Sequence, residues 1–311
     1  MSPDVAASIK ARLLDHAKAH TQEFEWTLTR FAAERVLFRL GASAARDRCI
    51  LKGASLLAVW LPDPYRATRD IDLLATGPAE DAGIRSLVEE ICAMTCPEDA
   101  LNFDLSKLVI ETIRAETQYP GKRARFCAHL GNARILVQLD IGFGDALAVE
   151  PQEIEYPTIL KALPTPRLRC YSRESAVAEK FEAMVTLGTR NSRMKDFHDV
   201  WALAGRFAFD GPALEKAIAA CFERRATLWT AQIPRPLTAE FYQDSTLDAR
   251  WRSYLAAGSV LVPPPAQFAQ IGERIIRFLG PVQRSIGEGT PFDRVWCAGG
   301  PWVPRSEEAP L

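Results

Sequence analysis

Asp70 and Asp72 stand two residues apart in the stretch Arg69-Asp70-Ile71-Asp72-Leu73-Leu74. The alternation is that of a strand, which projects Asp70 and Asp72 from one face and Arg69, Ile71 and Leu73 from the other. Two carboxylates at about 4 Å repel by roughly 4 kcal/mol at an effective dielectric near 20. A divalent cation or a shared proton offsets that cost, and a hard, oxygen-seeking ion such as Mg²⁺ suits the donors. The pattern alone fits the solvent face of an ordinary amphipathic strand better. The segment upstream distinguishes it. Ile50 and Leu51 end an apolar run, Lys52-Gly53 makes a turn, and Ser55 precedes Leu56, Leu57 and Trp60 at helical spacing. A helix start there presents free backbone N–H groups to a phosphate. Gly53 permits close approach, Ser55 adds a hydroxyl, and Lys52 or Arg66 neutralises phosphate charge. Polyphosphate and metal would then meet in one place, as metal-dependent nucleotidyl transfer requires.

Two later stretches place polar groups at ordered spacing. In Ala133 to Asp145, Ile135, Val137, Leu139 and Ile141 share one strand face, Gln138 and Asp140 take the other, and Asp145 follows two glycines as a turn residue. Tyr171 to Phe207 reads as two helices. Ser172 is the N-cap of the first, which runs to Leu187 with Gly188 as its stop, and after a basic turn the second spans Met194 to Arg206. Lys180 lies in the first helix. Asp196 and Asp199 lie near the start of the second, on one face at i, i+3, where acids are also favoured by the helix dipole.

These motifs carry a family resemblance. Lys52-Gly53-Ala54-Ser55, followed by Arg66-x-Thr68-x-Asp70-x-Asp72, resembles the first motif of the AbiEii/AbiGii toxin family, within the DNA polymerase β-like nucleotidyltransferase superfamily. The usual GG or GS is replaced by Gly53-Ala54-Ser55. Glu179-Lys180-x-x-Ala183, with Arg190, Arg193 and Lys195-Asp196-Phe197-x-Asp199-Val200, resembles the later motifs, so the likeness covers about residues 50 to 206. It implies that Asp70, Asp72 and a third carboxylate, matched by Asp140, hold two Mg²⁺ ions. It implies that Lys180 contacts the phosphates of a nucleoside triphosphate, and that Asp196, with Asp199 as its competitor, acts as a base or support. The implied reaction is in-line attack by an acceptor hydroxyl on the α-phosphate. The implied acceptor is RNA, first of all the 3′ end of tRNA, and the implied partner is a cognate antitoxin. Thr68 is a candidate for silencing by phosphorylation, because some related toxins are modified two residues before the first aspartate.

The elements that must position these groups follow from length and pattern. A chain of 311 residues with 48% hydrophobic content can bury a sizeable core in one large or two moderate domains. The expected fold is α/β (α+β), with N-terminal helices and a mixed-sheet nucleotidyltransferase core over 1–165. A mostly helical domain over 166–311 contributes the Lys180 and Asp196 helices, then Pro212 to Ala226, Phe241 to Ala257 and Ala266 to Leu279, and an extended tail bearing Trp296 and Trp302. No apolar run approaches a membrane span and Met1 to Lys10 lacks a signal-peptide core, so the expected location is cytoplasmic, without a membrane partner. The seven cysteines show no CxxC pair and read as reduced thiols. His16 and His20, at i, i+4, lack a third metal ligand. A net charge of −1 argues against a strongly basic nucleic-acid binder. Yet Lys122, Arg123 and Arg125, then Arg167, Arg169 and Arg173, then Arg190, Arg193 and Lys195 flank the motifs, as an RNA acceptor would need. Two other classes fit the same residues: a small-molecule, antibiotic-type nucleotidyltransferase with an enclosed acidic acceptor pocket, and a non-catalytic nucleotide- or partner-binding module.

Overall fold

Helices α1 (Pro3–Ala19) and α2 (Phe24–Ala42) open the chain in a computed structural model that describes residues 3–61, 66, 68–113, 121–144, 147, 149–229, 232–258 and 260–305; Asp145 lies outside them. There follow β1 (Cys49–Lys52), the one-turn helix α3 (Leu57–Trp60), β2 (Ile71–Ala75), α4 (Asp81–Ala93), β3 (Leu101–Ile113), β4 (Gly121–Leu130), β5 (Ala133–Phe143), β6 (Gln152–Glu155) and β7 (Arg167–Cys170). Among the described residues these strands form a seven-stranded mixed sheet in the order β3-β4-β5-β2-β1-β7-β6. β2 and β5 run parallel, as do β1 and β7, and the other neighbours are antiparallel. The sheet and its helices belong to one unit, Met1–Ala146 with Pro151–Tyr171.

The alternation in β5 sets the two faces of this sheet. Ile135, Val137, Leu139 and Ile141 are buried, and α2, which packs on β5 and β7, supplies Phe31, Val36, Leu37 and Leu40 to the core. The residues between them, Gln138 and Asp140, take the opposite face. Polar groups are also built into α2. Arg39 forks onto Asp99 at 2.7 and 3.1 Å, with both side chains buried, and its Nε donates to the Met94 carbonyl at 2.9 Å. Glu34, 1% exposed, accepts the Ile159 N–H at 2.9 Å and lies 3.2 Å from Arg30.

Burial pushes the Glu34 carboxyl up from 4.5 to about 7. Because the folded value lies above the unfolded one, the protonated form favours folding. That contribution is complete below about pH 4.5 and is lost as pH rises through about 7, a difference of about 3 kcal/mol at most. Glu34→Gln keeps the acceptor and removes the charge. It is expected to raise the melting temperature at pH 8 and to flatten the stability profile between pH 5 and 8, read by thermal melts. An unchanged slope would assign the pH dependence elsewhere.

The second unit, Leu147–Glu150 with Ser172–Leu311, contains α5 (Arg173–Leu187), α6 (Met194–Arg206), β8 (Phe209–Asp210), α7 (Gly211–Arg224), α8 (Ala239–Tyr242), α9 (Ser245–Ala256), α10 (Phe268–Glu288), β9 (Arg294–Trp296) and β10 (Trp302–Pro304). Ser172 caps α5 by accepting the Ser175 N–H at 3.1 Å, and Gly188 follows its last turn at φ 50°. Phe197 of α6 anchors an aromatic core with Phe241, Tyr242 and Phe268 at ring separations of 5.9, 6.1 and 5.2 Å.

Two expectations for this unit are corrected. The helix expected over Phe241 to Ala257 breaks at Asp244, whose carboxylate accepts the Thr246 and Leu247 N–H groups and starts α9. α10 continues through Pro281 to Glu288 rather than stopping at Leu279. The tail carries paired strands packed within its own unit: Trp296 and Trp302 sit on β9 and β10, both rings pack on Phe278, and their Nε1 groups donate to Ala204 O and Phe278 O. Buried indoles need apolar contact and one acceptor each, and the three-stranded sheet β10-β9-β8 holds them where Phe278 of α10 supplies the ring and carbonyls of α6 and α10 supply the acceptors. Among the described residues no helix is long and apolar enough to cross a membrane.

Candidate active site

Sheet register assembles the charged groups of the first unit into one row. Lys52 of β1 lies opposite Asp72 of β2, Asp72 lies beside Asp140 of β5, Asp140 pairs with Arg123 of β4, and Arg123 pairs with Glu111 of β3. Register partners project from the same face. Five neighbouring strands therefore present Lys⁺, Asp⁻, Asp⁻, Arg⁺ and Glu⁻ in line, on the face opposite Leu139 and Ile141.

The two adjacent carboxylates are set between cations. Arg123 clamps Asp140 through Nε at 2.7 Å and Nη2 at 2.6 Å, a bidentate geometry that is among the stronger ion pairs. These hydrogen bonds hold the guanidinium pKa above its usual value, and Asp70 adds attraction. The Lys52 ammonium lies over the Tyr171 ring at 5.5 Å and close to Gly142. Counting Asp70, Asp72 and Asp140 against Lys52 and Arg123 leaves one net negative charge.

Gly53 is required where it stands. Its φ is +70°, a conformation that L side chains rarely adopt, and a Cβ there would overlap the Asp72 carboxylate. The backbone after β1 thus approaches Asp72 as closely as a chain can.

Several expectations for this face change. β2 begins at Ile71, so Asp70 precedes the strand rather than sharing its pleat with Asp72. The helix start after Gly53 is a 3₁₀ turn, Gly53–Leu56, joined to the four-residue α3, which is too short to develop much dipole. Ser55 is buried and its hydroxyl donates to the Asp70 carbonyl at 3.2 Å, tying the Gly53 turn to the carboxylate segment. Arg66 is buried, and Thr68 is half-buried outside regular structure. Lys122, Arg123 and Arg125, grouped above as one basic cluster, lie on strand β4 and have separate partners. Lys122 turns away to Asp81 and Thr112, while Arg125 meets Gln138 and Glu111. Sequence reasoning grouped Arg123 with surface cations and missed its pairing with Asp140, because nothing local in the chain encodes the β4–β5 register.

The second unit carries its own charged cluster. Lys180 of α5 places Nζ 2.9 Å from Asp196 Oδ1 and 2.6 Å from Asp199 Oδ2, and Arg193 Nε lies 2.8 Å from Asp196 Oδ2. Both aspartates are fully buried and Lys180 is 13% exposed. One ammonium therefore bridges the two candidates that spacing left in competition. The other cations have separate surroundings: Arg167 pairs with Glu155, Arg169 donates to the Asp47 carbonyl, and Arg173 stacks over Phe207. The His16 and His20 rings stack on each other at 4.0 Å. Burial pushes the thiols of Cys49, Cys92 and Cys170 up to about 12, which leaves them unreactive at neutral pH.

A family model described as nucleotidyl transferase AbiEii toxin, type IV TA system, matches residues 35–274, well over half of the chain. The chain belongs to the AbiEii family of nucleotidyl transferase toxins. It is accordingly a transferase, in a family whose type IV toxin–antitoxin setting implies a nucleoside triphosphate substrate and a cognate antitoxin. Two solved structures from Helicobacter pylori are similar. One, described as a "putative nucleotidyltransferase", is 12% identical with a TM-score of 0.49 over 84% of this chain and 95% of that one. The other, JHP933, is 13% identical with a TM-score of 0.45 over 82% and 90%. No curated protein matches the sequence.

The donors fit a hard divalent cation at Asp70 and Asp72. They are oxygen ligands, and Gly53 keeps the backbone beside Asp72 free of a side chain. Mg²⁺ is commonly held by one or two carboxylates with phosphate oxygens completing its shell. Asp140 fits less well. Both of its oxygens already accept from Arg123, and a cation on the same carboxylate would face that guanidinium at roughly 4 kcal/mol per unit charge at about 4 Å. Among the described residues no three His, Cys, Asp or Glu side chains form a metal-holding group.

Proposed function

We propose that this chain transfers a nucleoside monophosphate from a nucleoside triphosphate to the 3′ end of a tRNA, with Mg²⁺ held by Asp70 and Asp72. The observation that carries the proposal is the row Lys52–Asp72–Asp140–Arg123, with Gly53 pressed against Asp72. It supports a reaction in which polyphosphate charge is met by cations directly beside metal-binding carboxylates. Bound Mg²⁺ supplies charge stabilisation at the reacting phosphate. Lys52 attracts the polyphosphate, the Gly53 turn admits it close to the backbone, and Ser55 keeps that turn fixed to Asp70. Lys180 contributes a phosphate-binding ammonium, oriented by Asp196 and Asp199. Positioning and charge stabilisation supply the acceleration, and no covalent enzyme intermediate is needed. Thr68, two residues before Asp70, is the proposed acceptor of a silencing phosphate, which would add about two negative charges beside the carboxylates.

The test is to incubate the protein with Mg²⁺, total tRNA and each α-labelled triphosphate in turn, alongside tRNA whose 3′ ribose has been oxidised with periodate. Label on intact tRNA alone is expected. Label on neither RNA sample, from any triphosphate, would refute tRNA as the acceptor.

A further inference from the structure

We propose that Asp140 is a positioning residue for Arg123 rather than a metal ligand, and that Arg123 binds a phosphate of the nucleotide. The inference rests on the nucleotidyl-transfer reading of this face and gives separate parts to two residues of its charged row.

Three observations lead here. Both Asp140 oxygens are occupied by the Nε and Nη2 fork at 2.7 and 2.6 Å, so the carboxylate already has a full counter-charge. A guanidinium carries five N–H donors, and Asp140 takes two of Arg123's; the remaining three make no other hydrogen bond among the described residues, although the side chain is only 28% exposed. The register places Arg123 two strands from Asp72 in the row, with Asp140 between, and Asp70 is close enough to attract it. An arginine locked by a carboxylate on one edge, with donors left on the other, is built to accept a second anion. The nucleotide polyphosphate is the anion that Asp70 and Asp72 bring to this face. The same arrangement explains why two carboxylates sit side by side in the row: Asp72 serves the metal and Asp140 serves the arginine.

The experiment uses two binding probes that need no turnover, Mn²⁺ titrated by the paramagnetic resonance of the free ion and inorganic tripolyphosphate titrated by calorimetry, on the full chain. Asp140→Asn is expected to leave Mn²⁺ affinity within about threefold of wild type, while Asp72→Asn weakens it by about tenfold or more. Arg123→Gln is expected to weaken tripolyphosphate by about tenfold, and Arg123→Lys to restore little of that, because an ammonium cannot fork between Asp140 and a phosphate. If Asp140 acts through Arg123, Asp140→Asn alters tripolyphosphate affinity only when Arg123 is present. Loss of Mn²⁺ binding in Asp140→Asn as complete as in Asp72→Asn would overturn the assignment, as would undiminished tripolyphosphate binding by Arg123→Gln. Failure of the wild type to label any acceptor would count against the proposed reaction instead, leaving these binding results to stand or fall alone.

Discussion

Asp72→Asn is expected to lower nucleotide transfer by about 10³-fold or more while leaving the melting temperature close to that of the wild type. Asp72 is half-buried between Lys52 and a second carboxylate in the ladder. Losing its charge removes attraction on one side and repulsion on the other, so the net effect on folding should stay within about 1 kcal/mol. Asparagine keeps the shape against Gly53, whose conformation leaves no room for adjustment. Transfer rate and thermal melt should be read on one preparation. A wild-type rate would take Asp72 out of the site, and a fall in melting temperature matching the loss of activity would make it a structural residue.

Lys180→Ala should give the opposite pattern, with stability and transfer falling together. The lysine is the shared counter-charge of Asp196 and Asp199, both fully buried, and Arg193 reaches only Asp196. Asp196 keeps Arg193 but Asp199 loses this counter-charge, and breaking a buried pair costs about 3–5 kcal/mol, so the single variant cannot separate catalysis from folding. Lys180→Met combined with Asp199→Asn removes one charge of each sign. The pair is expected to regain most of the lost stability, measured by denaturant unfolding, without regaining transfer. Recovery of both would show that Lys180 only holds the two helices together.

The parts of this molecule governed by local pattern could be read in the sequence. Ser172 and Gly188 bound α5 as cap and stop, α6 spans Met194–Arg206, and β5 buries the alternate residues that its pattern predicts. The mixed α/β class follows from the same signals. What depended on distant partners could not be read. Arg123 and Asp140 are joined only by the antiparallel register of β4 and β5, and the row from Lys52 to Glu111 needs strands that are scattered along the chain. Ser55 looked like a helix-start hydroxyl for phosphate; the fold uses it to fix the Asp70 backbone, because a buried hydroxyl must find an acceptor. Trp296 and Trp302 lie among glycines and prolines that read as an extended tail, with nothing local to show what they pack on. They pair on β9 and β10 because Phe278 of α10 offers a ring on which both can pack.

The central claim is that the chemistry breaks the bond between the α and β phosphates. It is tested most directly by supplying the protein with Mg²⁺, tRNA and the accepted triphosphate, labelled in separate reactions at the α or the γ phosphate. The account predicts α label on the RNA and an equal amount of γ label released as pyrophosphate, with both absent in Asp72→Asn. Label transferred from the γ phosphate to RNA or to the protein would contradict it, because the reaction would then be phosphoryl rather than nucleotidyl transfer.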